Sequence, residues 1–114
     1  MIADIRQTPP IPQQFIEIQE YMEANYANDI SVQTLASKCK MSVPQFNRHF
    51  VNAFKCTPYQ YLIHIRMERA HFLLQSHQRS IKEVALAVGY KSPLHFSYEF
   101  KQIFGHAPKF DRNQ

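Results

Sequence analysis

Apolar residues recur along this chain at three- and four-residue steps, and one such stripe occurs twice. Phe46, Phe50, Phe54 and Pro58 are spaced four apart, and Phe96, Phe100, Phe104 and Pro108 repeat them at a constant offset of 50. Upstream, Val32, Leu35, Ala36 and Cys39 recur as Ile81, Val84, Ala85 and Val88 at an offset of 49, because one turn is a residue longer than the other. A stripe at this spacing buries one face of a helix. The chain therefore contains a pair of short helices in duplicate.

Polar and breaker residues punctuate the stripes. Thr8-Pro9-Pro10-Ile11-Pro12 cannot sustain a helix or a central strand, since each proline lacks an N–H and restrains its predecessor, so residues 1–12 read as a linker. From Pro12 to about Asn25, Phe15, Ile18 and Met22, with Tyr26 beyond, form the stripe of an amphipathic helix that lids a core. Ser31 offers an N-cap for a short helix ending near Cys39, and Ser42 caps a second running to about Phe54. Thr57-Pro58 is a cap followed by a first-turn proline, opening a long helix that carries Leu62, Ile65, Ala70, Leu73 and Leu74 to about Gln75. Ser80 starts the fifth helix and Ser92-Pro93 the sixth, which Gly105 stops before a last turn around Pro108 to Arg112. With strand-like alternation absent, the expected fold is all-α: about seven helices forming two helix-turn-helix subdomains of homeodomain-like kind, joined by a long linking helix. The first pair spans about residues 31–55, the linking helix about 58–75 and the second pair about 80–104, within a domain covering 13–114.

A helix-turn-helix sets one helix behind another whose outer face enters the DNA major groove. At about 100° per residue, Phe46, Phe50 and Phe54 fall within an arc of about 80°, with Pro44, Gln45, Arg48, Asn52 and Lys55 roughly opposite. Arginine pairs with both guanine acceptors and glutamine with adenine, so these types discriminate bases rather than merely attract phosphate. The second copy buries its phenylalanines and leaves Leu94, His95, Tyr98, Lys101 and Gln102 outside. That face is less plainly a reader, so the first copy is expected to specify and the second to position. An 18-residue linking helix spans about 27 Å at 1.5 Å per residue. Successive major grooves on one face lie about 34 Å apart, so DNA bent toward the protein brings both within reach. Tandem copies predict an asymmetric, bipartite site.

Composition narrows the alternatives. At 114 residues there is room for one domain or two very small half-domains sharing a helix. A pI near 9.2 and a formal charge of +4 suit a polyanionic partner. Lys55, Lys91 and Lys101 are the candidate phosphate contacts. Cys39 and Cys56 lack the CxxC spacing of a redox or metal site and read as reduced thiols. His64, His71 and His77 are not spaced as a zinc pair, and neither a nucleophile with its base nor a glycine loop for phosphate occurs, so no metal, cofactor or enzymatic activity is expected. No secretory leader and no run of about 18 apolar residues is visible, which makes a cytoplasmic protein the expectation. A helical interaction module docking an acidic protein is the competing reading.

These residues together resemble the DNA-binding domain of the AraC/XylS family of bacterial transcription regulators, over about Phe15 to Arg112. The resemblance rests on Leu35-Ala36 with Ser42, Phe46, Arg48 and Phe50, and on Tyr61-Leu62 with Arg66, Ala70, Leu73 and Leu74. In the second copy it rests on Ile81-Lys82-Glu83-Val84-Ala85, Val88-Gly89-Tyr90, Phe96-Ser97 and Phe100-Lys101. It implies double-stranded DNA binding, usually with activation of transcription. Base reading falls by position on Pro44, Gln45, Asn47 and Arg48 in the first unit and on Leu94, His95, Ser97 and Tyr98 in the second; Ser42 and Ser92 complete the expected interface. Arg66 is expected to buttress the junction. RNA polymerase is a candidate partner, as is an effector or dimerisation domain ahead of the proline segment. Three departures stand out: Tyr98 replaces a common arginine, Lys40 occupies the first turn without glycine, and Ala107 replaces the usual cap before Pro108, which predicts a frayed last helix.

Overall fold

The computed structural model describes residues 10–76 and 78–112; Thr8, Pro9 and the rest of 1–9, together with His77, lie outside them. Among the described residues seven helices follow in order: α1 (Gln13–Asn25), α2 (Val32–Lys38), α3 (Val43–Phe54), α4 (Pro58–Gln75), α5 (Ile81–Ala87), α6 (Pro93–Phe104) and α7 (Pro108–Arg112). Local chemistry explains their starts. Ser31, Ser42, Thr57, Ser80 and Ser92 each accept a hydrogen bond from the backbone N–H three residues on. In α3, α4 and α5 the third helical residue, Gln45, Gln60 or Glu83, returns a side-chain oxygen to the cap's own N–H, closing a capping box.

Two separate cores result. Phe15, Ile18 and Met22 of α1 close over Leu35, Ala36, Cys39, Phe46 and Phe50, with Leu62 from the first half of α4. Met67, Ala70 and Leu74, from the second half of α4, meet Val84, Ala85, Val88, Tyr90, Phe96 and Phe100. The aromatic stripes pack alike, with centroids of Phe46 and Phe50 5.7 Å apart and of Phe96 and Phe100 also 5.7 Å apart. The last ring of each triad departs from full burial: Phe54 and Phe104 are half-buried. Phe54 stacks obliquely on Tyr61 and Phe104 on His71, since each lies at the helix end where the core tapers into α4. Ile65 and Leu73 are likewise half-buried; Pro58, the last member of the first stripe, is buried, and so is Met67, which the sequence reading did not name.

The stop signals differ between copies although each stop takes a positive φ. Lys40 and Gly89 occupy the same place after α2 and α5, at φ 57° and 105°, and Lys55 and Gly105 after α3 and α6, at φ 64° and 80°. Met41 N–H donates to Ala36 carbonyl and Tyr90 N–H to Ala85 carbonyl, the bond that closes a left-handed helix end. The left-handed conformation costs an L-residue about 1–2 kcal/mol, so Lys40→Gly is expected to raise stability by about 1 kcal/mol in urea unfolding. Gly89→Ala should lower it by more, because a Cβ there would also lie 3.1 Å from Ala27 Cα and from Arg66 Cζ. Equal stabilities for the two variants would contradict this.

The last helix is anchored rather than frayed. Asp111 is 2 % exposed. Its carboxylate takes hydrogen bonds from His71 Nδ1 at 2.7 Å, Gln75 Nε2 at 3.1 Å and His106 Nε2 at 3.2 Å. This tertiary clasp replaces the local cap that Ala107 cannot supply.

Candidate nucleic-acid interface

The two outer faces of α3 and α6 are where the sequence places its readers. On α3, Pro44, Gln45 and Arg48 are exposed, and Asn47 is half-buried at the edge. On α6, Leu94 is 84 % and Tyr98 65 % exposed, His95 and Lys101 are exposed, and Ser97 is half-buried. Each face lies opposite a fully buried phenylalanine pair, so the core dictates what points outward. The molecule is flat, 43 × 37 × 21 Å, and its long dimension exceeds the roughly 34 Å between successive major grooves.

The individual residues are not equally free. Ser42 and Ser92 are N-caps, their hydroxyl oxygens accepting from Gln45 N–H at 3.3 Å and His95 N–H at 3.2 Å. Gln45 is the reciprocal half of its box, with Oε1 accepting from Ser42 N–H at 3.2 Å and from Ser42 Oγ–H at 3.3 Å. Bidentate reading of adenine needs that same oxygen, so Gln45 reads with its amide donors or gives up its cap. Arg48 carries no such obligation; among the described residues it has no hydrogen bond or ion pair. Lys55 caps α3, its Nζ donating to Asn52 carbonyl at 2.9 Å. Lys91 pairs with Asp29 at 3.3 Å, but with both side chains more than four-fifths exposed the pair is weak and easily surrendered.

Arg66 sits where the buttress was expected. Its Nε donates to Tyr26 carbonyl at 2.8 Å and its Nη2 to Asn28 carbonyl at 3.1 Å, while the guanidinium lies 5.5 Å from the Tyr90 ring centroid. It joins α4, the loop after α1 and the turn before α6.

Glu99 escaped the sequence reading. It lies on α6 with its side chain 14 % exposed. One oxygen accepts from Tyr90 hydroxyl and the other from Tyr59 hydroxyl at 3.0 Å. His95 Nε2 lies 3.5 Å from that second oxygen. Burial, then the Glu99 carboxylate beside it, hold the Tyr90 hydroxyl far above the usual phenol range, so it stays a donor. The His95–Glu99 step of four residues was the one available signal; the tyrosine partners are not local. Among the described residues no group of ligating side chains is arranged for a metal ion and no helix is long and apolar enough to cross a membrane.

Residues 35–114 match the family described as a helix-turn-helix domain. HTH-type transcriptional regulator ArgR of Pseudomonas aeruginosa is 33 % identical over 93 residues, covering 82 % of this chain and 28 % of that protein. The chain spans between about a quarter and somewhat over a third of the length of the curated relatives it matches. Among solved structures, the C-terminal domain of AraT, a response regulator from Geobacillus stearothermophilus, superposes with a TM-score of 0.86 at 25 % identity, covering 92 % of this chain and 88 % of that one. The DNA-binding domain of the global transcriptional factor AdpA, solved in complex with a target DNA, superposes with a TM-score of 0.81 at 30 % identity over 86 % of this chain and 88 % of that one.

Proposed function

Because this chain belongs to the AraC family of helix-turn-helix proteins, we propose that it is a sequence-specific double-stranded DNA-binding transcription regulator that sets α3 and α6 in successive major grooves. The observation that carries this reading is the pair of exposed faces opposite duplicated buried phenylalanines, one bearing Arg48, which is unpaired among the described residues. Its relative AdpA was solved on DNA through the same fold, which favours a duplex over an acidic protein partner. The family is one of DNA-binding regulators, which is not a class of enzymes.

In this reading Pro44, Gln45, Asn47 and Arg48 meet base edges in one groove, and Leu94, His95, Ser97 and Tyr98 in the next. Arg48 reaches guanine and Leu94 a thymine methyl. Ser42 and Ser92 hold the helix starts against the duplex, and Lys55, Lys91 and Lys101 meet phosphates. Lys91 exchanges its exposed Asp29 partner for a phosphate on binding. The domain runs over 13–114, with residues 1–12 linking it to an effector or dimerisation domain; contact with RNA polymerase then gives activation.

Salt dependence of duplex binding tests the assignment. The logarithm of affinity falls linearly with the logarithm of salt as phosphates are neutralised. Lys101→Ala is expected to weaken binding on all sequences alike and reduce that slope by about 1. A wild-type affinity indifferent to salt would remove the DNA reading; an unchanged slope in the variant would remove Lys101 from the phosphate set.

A further inference from the structure

The two units each bury their own core; α4 runs through both, Ile63 from its first half packs against the second core, and the contacts between residues outside that helix are mainly polar. Arg66 bonds the Tyr26 and Asn28 carbonyls and faces the Tyr90 ring. Lys91 meets Asp29 at the surface, and Tyr26 packs at the edge of both cores. Units joined through a polar contact rock relative to one another by default. Of these polar contacts, the Tyr59–Glu99 bond is the one that reaches a reading helix. Tyr59 stands in the first turn of α4, directly after α3, and Glu99 in the middle of α6, 40 residues away in sequence. A carboxylate only accepts. Glu99 therefore takes both tyrosine hydroxyls at once, one from the linking helix and one from the turn that precedes its own helix.

We infer that Glu99 is a specificity-determining positioning residue, whose carboxylate ties α6 to the start of α4 through Tyr59 and so sets the spacing and phase at which the second half-site is accepted. The inference rests on the two-groove reading above. A single half-site is read by the outer face of one helix, and Glu99 lies on the inner flank of that face, its side chain 14 % exposed and touching the readers only through His95. The spacing between half-sites depends on how stiffly α6 is held relative to α3. With the tether in place, a site whose halves are one base pair too far apart must be strained into register. Without it, the second unit follows the DNA. Charged hydrogen bonds of this kind are the strong ones; Tyr59 is itself exposed, and when its hydroxyl is lost the Glu99 oxygen it served still has His95 Nε2 at 3.5 Å.

Two variants and two measurements test it. Tyr59→Phe removes the tether and leaves the Tyr90 bond; Glu99→Ala removes both bonds, whereas glutamine could keep both through its amide oxygen and N–H. Duplexes selected from a random pool are resynthesised with one base pair inserted or removed between the halves. The wild-type chain is expected to lose about tenfold in affinity, close to 1.4 kcal/mol, and each variant less than about threefold, with base preferences inside each half retained. In the free protein, backbone residual dipolar couplings from both units should fit one alignment tensor for wild type and two for the variants. Variants that discriminate spacers like wild type, or that still fit one tensor, overturn the tether. A wild type without a bipartite preference would instead remove the two-groove reading, and the couplings of the free chain then decide the tether alone.

Discussion

Replacing Phe50 by alanine is expected to melt the first helical unit while the second stays folded. Phe50 has no exposed surface, and its ring lies 4.6 Å from Phe54, 5.7 Å from Phe46 and 5.8 Å from Tyr61 by centroid. Emptying such a site costs about 3–5 kcal/mol. A unit of about 50 residues has only a few kcal/mol of stability to lose, at roughly 0.05–0.15 kcal/mol per residue. The two cores share no fully buried residue and are joined by α4 and the edge contact of Tyr26, so the damage reaches the second only through these. Amide hydrogen exchange should show protection lost in α1 to α3 and in the first half of α4, around Leu62. Protection should be kept in α5 to α7 and in the second half of α4, where Met67, Ala70 and Leu74 serve the other core. Phe100→Ala should give the mirror image. Uniform loss of protection along the whole chain would show the units to be one cooperative structure and the prediction to be wrong.

Arg48→Ala is expected to produce the largest change in DNA recognition, about 1–3 kcal/mol, and to flatten the base preference at a single position of the first half-site. The side chain is exposed and unpaired among the described residues, so binding breaks no internal bond and truncation leaves none unsatisfied. Its neighbours compare unfavourably. Gln45 is committed to the cap of α3, and His95 lies beside the Glu99 carboxylate. Tyr98 offers one hydroxyl where arginine would offer a fork of donors. The expected order of effects, read base by base on a panel of duplexes, is Arg48 first, with His95→Ala and Tyr98→Ala smaller. If those two blurred the site as much as Arg48→Ala, the unequal division between the copies would not hold.

The helices were legible in the sequence because the interactions that define them are local. Ser42 with Gln45, Thr57 with Gln60 and Ser80 with Glu83 lie three residues apart, within one turn. The phenylalanine stripes repeat within a single helix, so burial of Phe46, Phe50, Phe96 and Phe100 follows from periodicity. Even so, the last ring of each stripe was read as deeper than it is, because a helical wheel records direction and not how far the opposing element extends. The same wheel marked Gln45 as a reader without noticing that its amide oxygen closes the cap, a case of one side chain with two claims on it.

What tertiary structure alone decided is of another kind. Tyr59 with Glu99, Arg66 with Tyr26 and His71 with Asp111 are each separated by 40 residues. No spacing rule reaches across that distance. Nothing local marks Asp111 for burial, and only docking of α7 on α4 buries it. A glutamate on the flank of α6 reads as ordinary surface charge until two tyrosine hydroxyls converge on it. The sequence by itself determined the seven helices, their duplication and the composition of the two outer faces, since all of these are written in contacts within a turn or two. How the two units face each other was decided by the fold, because the groups that hold the junction are polar, few and brought together only when both cores have formed.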